Sequence, residues 1–141
     1  MSGGVHGPVL FYDGLCALCN RAVLLVLRYD RRGRIRFAPL QGEAGRELRE
    51  RHPGLEDVDS LVWVEDLGDE ERERPVVRSE AVLRAAEHMD GGWRALTLLR
   101  LVPRRIRDWT YDVCARHRHR LFGRYDECPV PDAEVRSRFL P

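Results

Sequence analysis

A chain of 141 residues, 43% of them hydrophobic, has the size of one domain and can bury roughly two-thirds of its unfolded surface without disulfide staples. A formal net charge of +1 argues against a globally basic nucleic-acid binder, and no apolar run approaches the ~20 residues of a membrane-spanning helix, since the longest, Ala22–Leu27, is followed by Arg28. Four cysteines are too few for a secreted disulfide scaffold and residues 1–8 lack the basic start and apolar core of a signal peptide, so the expected location is a reducing cytoplasm.

Val9-Leu10-Phe11-Tyr12 is an apolar, β-favouring run ended by Asp13-Gly14, which predicts a buried strand entering a turn. A helix follows from Cys16 to about Asp30. Its residues Ala17, Leu18 and Ala22 to Leu27 cover most of the circumference and predict a largely buried helix, with Arg31-Arg32-Gly33 suited to its C-terminus. Ile35 to Leu40 alternates as a second strand, and Glu43 to His52 reads as a short polar helix closed by Pro53-Gly54. Ser60 to Glu65 is the third strand and Val76-Val77-Arg78 the fourth, joined by an acidic stretch, Asp66 to Arg74, that reads as a solvated hairpin loop.

Ser79 looks like the N-cap of a helix that runs to Met89 and stops at Gly91-Gly92. Trp93 to Val102 and, after a break at Pro103, Arg105 to about Arg120 are expected to be helical, while Leu121 to Pro141 is poorly patterned. Strands alternating with helices, then helices alone, predict an α/β sheet carrying a helical extension. The expected divisions are a flexible N-terminus over 1–8, a core over 9–92, and an extension over 93–141 packed on the same domain.

Charge is unevenly placed: Glu56 to Glu73 holds nine acids against Arg72, and Arg94 to Arg124 holds nine arginines against Asp108 and Asp112. All 24 basic residues are arginine, which reads first as a composition bias. The basic segment reads as a solvated helix, with docking to acidic protein, lipid or nucleic acid as the competing reading. No nucleic-acid partner is expected.

The chemistry-bearing motif is Cys16-Ala17-Leu18-Cys19. A cysteine opening a helix faces unpaired backbone N–H groups and the positive end of the helix dipole, which favours thiolate and makes Cys16 the candidate nucleophile. Cys19, three residues on, lies on the same helix face and suits resolution of a mixed disulfide formed at Cys16. Asp13 reads first as a helix cap and second as a proton acceptor for Cys19; Asn20 reads as a helix-surface residue. A Cys-x-x-Cys also serves as half a zinc site or as two core thiols, and a zinc or structural module drawing on Cys114, Cys128, His117 and His119 is the alternative. Cys114, beside Ile106, Trp109 and Tyr111, reads more simply as a buried core thiol, and His117 and His119 as solvated. No resident metal or cofactor is expected under the redox reading.

Tyr12-Asp13-Gly14-Leu15-Cys16-Ala17-Leu18-Cys19-Asn20, with Arg36 to Gln41, Arg78 to Leu83, Leu101 to Asp108, Tyr111, Arg118 to Arg124 and Cys128, resembles the DCC family of thiol-disulfide oxidoreductases, named for its Asp-Cys-Cys signature. The resemblance covers about residues 9 to 130. It implies a thioredoxin-like sheet with flanking helices and a disulfide oxidoreductase role carried by Cys16 and Cys19, with Asp13 the matching acid. The partners so implied are a disulfide-containing protein or small molecule and a thiol reductant. Two positions depart from the family pattern: His117 stands where the family often has Asn, and Cys114 has no counterpart in it. Asp59-Ser60, not proline, leads into the strand expected to face the cysteines, and Pro75 precedes a different strand.

Overall fold

Four apolar residues in a row, Val9–Tyr12, form the central strand β1, buried along its whole length. It pairs in parallel with β2 (Arg36–Pro39), Leu10 opposite Phe37, and antiparallel with β3 (Val62–Val64), which pairs antiparallel with β4 (Val76–Val77). The strand order is β2-β1-β3-β4. The structure, a computed structural model, describes residues 7–56, 58, 61–69, 71–123 and 136–140, with residue 119 described in its backbone alone. Asp59, Ser60 and Cys128 lie outside the described residues, as does most of the N-terminal segment.

The two-residue period of a strand sends alternate side chains to opposite faces, and it divides the core in two. Leu10, Tyr12, Phe37 and Trp63 face the side covered by α1 (Ala17–Tyr29) and α3 (Arg78–Glu87), which contribute Val23, Val26, Ala81 and Ala85. Val9, Phe11, Ala38, Val62 and Val64 face the other side, where α2 (Glu43–Arg51) contributes Leu48. This mixed four-stranded sheet with flanking helices belongs to the α/β class and is consistent with a thioredoxin-like fold. Among the described residues no helix is long and apolar enough to cross a membrane.

Several local expectations are corrected by packing. Helix α1 is not buried all round: Ala17, Cys19, Val23 and Val26 form its inner stripe, whereas Leu24 is 64% exposed, because one sheet face covers only one stripe of a helix. Ser79 does not cap α3; the helix begins at Arg78 with Val77 at the cap position, and the Ser79 hydroxyl donates to Asp108 of α4 (Arg104–Phe122). The segment Gly91–Leu101 is a 3₁₀ helix, and Leu98 and Leu101 project outward from it.

The acidic β3–β4 connection is not wholly solvated, for Leu67 and Glu73 turn inward. Burial alone would raise the Glu73 carboxyl, but hydrogen bonds from Arg51, the Gly68 amide and His52, with the Arg51 charge, outweigh it and hold the group below the usual carboxylate range. At the C-terminus, Phe139 makes a parallel bridge with Phe37 and the Leu140 amide donates to the Phe37 carbonyl at 2.7 Å, so the chain end covers the open edge of β2.

Candidate active site around Cys16 and Cys19

The loop Asp13-Gly14-Leu15 carries the chain from β1 into α1, and its geometry is locked from three directions. The Cys16 amide donates to the Asp13 carbonyl at 3.1 Å, and the Leu15 amide donates to Asp13 Oδ1 at 3.0 Å. Gln41, just after β2, accepts from the Gly14 amide at 2.9 Å and donates to Asp13 Oδ1 at 2.6 Å. Asn20 reaches back along α1, its amide nitrogen donating to the carbonyls of Gly14 and Cys16 at 2.9 Å each. Asn20 is thus a loop-fastening residue rather than a passive helix-surface one. Asp13 does not cap the helix either; its carboxylate fastens the turn one residue earlier.

The cap position belongs to Cys16, whose extended backbone (φ −88°, ψ 122°) lets its sulfur accept from the Cys19 amide at 3.4 Å. That sulfur therefore sits at the helix N-terminus, where orphan amides and the dipole favour negative charge. Both cysteines are free thiols. Cys16 is 0% exposed and Cys19 5%. Burial, together with the Cys16 charge and hydrogen bond, pushes the Cys19 thiol up to about 12, opposed by the Asp13 amide and the positive charge of Arg118. Cys19 is thereby held as a thiol near neutral pH.

Arg118, on α4, is the residue that sequence reasoning missed. It is 4% exposed, and its guanidinium lies 3.5 Å from Asp13 Oδ2 across a sequence separation of 105 residues. The same helix closes over the start of α1: the Gly123 carbonyl accepts from the Ala17 amide at 3.3 Å, and Arg21 lies over the Phe122 ring at 5.7 Å. A small apolar cavity of about 200 Å³ remains between the two helices, bounded by Leu18, Cys19, Ala22, Tyr111, Cys114 and Arg118 among others. The only sequence signal for Arg118 was its place in the Arg118 to Arg124 run; nothing local marks an arginine as buried.

Cys114 is exposed, contrary to the expectation of a core thiol, although it stands four residues before Arg118 on the same helix face and borders the same cavity. His117 is exposed on the same helix. Among the described residues no group of three or more His, Cys, Asp or Glu side chains is arranged to hold a metal ion. The Cys128 and His119 side chains, named in the zinc alternative, lie outside the described residues.

The family model described as DCC1-like thiol-disulfide oxidoreductase matches residues 10–124, which takes in β1 from Leu10, the cysteine pair and the whole of α4. The chain belongs to this family. Among its relatives, the DCC1-like chain is 36% identical over 139 residues to the uncharacterized protein YuxK of Bacillus subtilis, covering 97% of this chain and 96% of the relative. It is also similar to a chloroplastic DCC family protein of Arabidopsis thaliana, 37% identical over 125 residues, covering 87% of this chain and 69% of the relative. No solved structure matches the DCC1-like chain.

Proposed function

We propose that the DCC1-like chain transfers two electrons from its cysteine pair to a disulfide in a protein or small molecule, with Cys16 attacking and Cys19 resolving. The observation that carries this reading is the placement of the Cys16 sulfur at the N-terminus of α1, accepting from the amide of Cys19, itself a buried free thiol three residues on. The Cys16 thiolate attacks one sulfur of the substrate disulfide. That S–S bond breaks, a Cys16–substrate bond forms, and the first substrate sulfur leaves and takes a proton from solvent. Cys19 then gives up its proton and attacks the Cys16 sulfur, and the second substrate sulfur departs and is protonated. The chain is left with a Cys16–Cys19 disulfide, which an external thiol reductant returns to the dithiol.

Asp13 belongs to the second half of this cycle. Its amide lies against the Cys19 sulfur, and among the described residues Oδ1 accepts two hydrogen bonds while Oδ2 has the longer Arg118 contact alone. Oδ2 is therefore the carboxylate oxygen able to take the Cys19 proton in transit.

The test is reduction of insulin or of a small aromatic disulfide by wild type, Cys16→Ser and Cys19→Ser proteins. Cys16→Ser is expected to abolish turnover and Cys19→Ser to accumulate a mixed disulfide visible by mass spectrometry. Full turnover by Cys16→Ser would end this mechanism. Asp13→Asn is expected to slow the second half-reaction and spare the first.

A further inference from the structure

A buried arginine within reach of a buried carboxylate beside two thiols is costly unless the charges serve one another. Arg118 and Asp13 have side chains only 4% and 7% exposed, and the Arg118 side chain also forms part of the wall of the cavity that Cys19 borders. One cation thus faces both the carboxylate that anchors the Asp13-Gly14-Leu15 turn and the sulfur that must become anionic during resolution. We infer that Arg118 is the positioning residue of the resolving step: it holds the Asp13 carboxylate in place from α4 and supplies the positive charge against which the Cys19 sulfur becomes a thiolate. The inference rests on the proposed roles of Cys16 and Cys19 and adds a residue that the reaction scheme alone does not require.

The physical reasoning is electrostatic. Once the Cys19 proton has passed through Asp13 to solvent, thiolate and carboxylate are both negative in a site with little water, and like charges in such a place oppose one another. The guanidinium offsets both. Lysine retains the charge but not the planar, forked donor geometry, whereas methionine keeps approximate length and apolar bulk while removing the charge. Attack by Cys16 precedes formation of the Cys19 anion, so it depends much less on Arg118. A purely structural role, bracing α4 against the turn, would slow both steps or neither and would leave the pH dependence of resolution where it was.

The two steps separate in a single experiment with 5,5′-dithiobis(2-nitrobenzoate), in a Cys114→Ser/Cys128→Ser background that leaves only the CxxC thiols. Attack by Cys16 releases one nitrothiobenzoate and forms a mixed disulfide; attack by Cys19 on that bond releases the second. In Arg118→Met the first release is expected to stay within about threefold of the parent, while the second slows roughly tenfold near neutral pH and its rate profile moves to higher pH by about one unit, the low end of what an opposite charge at close range contributes. Arg118→Lys is expected to recover most of the displacement. Arg118→Gln, which keeps a donor toward Asp13 without the charge, carries the test if methionine prevents folding, and it too must displace the profile. A second-step profile that bends at the same pH as the parent's in the charge-removed variant overturns the inference, even if the rate is lower at every pH. Absence of the first release from the parent would instead overturn the roles assigned to Cys16 and Cys19, so the two failures are distinct.

Discussion

Removing the Arg138 side chain should destabilise the fold far more than its place near the end of the chain suggests. Asp30, at the C-cap of α1, has a side chain 1% exposed, and its Oδ2 accepts from Arg138 at 2.5 Å and from the Ile35 amide at 2.9 Å. Arg138 also donates to the Ile35 carbonyl at 3.0 and 3.2 Å and lies over the Phe37 ring at 5.4 Å. Arg138→Met therefore leaves a buried carboxylate with one donor, and breaking such a pair from one side costs about 3–5 kcal/mol when both members are fully buried. Arg138 retains 19% exposure, which admits some water, so we set the expectation at about 2–3 kcal/mol. With an unfolding entropy of about 2.1 cal/mol/K per residue, the 141 residues give about 0.3 kcal/mol/K, and the melting temperature should fall by roughly 7–10 °C. Thermal and urea unfolding followed by far-ultraviolet circular dichroism measure both quantities. Asp30→Asn combined with Arg138→Met should recover part of the loss. A single variant melting within about 2 °C of the parent would refute the assignment of Arg138 as the counterion of Asp30.

Glu73 gives a pH test. Its carboxyl lies below the usual value of 4.5 in the folded chain, so its contribution is fully present above the unfolded value and is lost as pH falls through the folded one. Urea titrations from pH 7 to 2 should therefore show a flatter loss of stability between about pH 5 and 3 in Glu73→Gln than in the parent, and equal slopes there would contradict the reading. Among the three described cysteines only Cys114 is exposed, so a polymer-linked maleimide, too bulky to enter a closed site, should modify it before Cys16 or Cys19 in the native chain. Peptide mass analysis at partial labelling decides this, and prior labelling of Cys16 would contradict the burial described above.

The elements nearest the cysteine pair were legible in the sequence because local physics determines them. An apolar run stopped by Asp13-Gly14 reads as a strand into a turn, and Cys16 at a helix start follows from the apolar helix behind it. The β2, α2 and β3 readings likewise came from alternation and from Pro and Gly punctuation, and fell within a residue or two of Arg36–Pro39, Glu43–Arg51 and Val62–Val64. What was hidden depends on contacts distant along the chain. Arg118 meets Asp13 from 105 residues away, and Arg138 meets Asp30 from 108, neither marked by any local pattern. Gly91–Leu101 carries apolar residues at spacings that suit three or 3.6 residues per turn, so composition alone does not separate a 3₁₀ helix from an α-helix. Glu73 sits in a run of acids that looks solvated, and its inward turn depends on Arg51 and His52 at the end of α2.

The closing of α4 over the start of α1 bears on kinetics as well as on architecture. Under the chemistry proposed above, with the Gly123 carbonyl on the Ala17 amide and Cys16 closed off from solvent, a disulfide would meet Cys16 only in molecules whose helix end has lifted. The observed rate is then the intrinsic rate scaled by the open fraction, and at high disulfide concentration it levels off at the frequency of lifting. The electron transfer proposed for this cysteine pair would thereby be metered by a backbone contact that contains no sulfur.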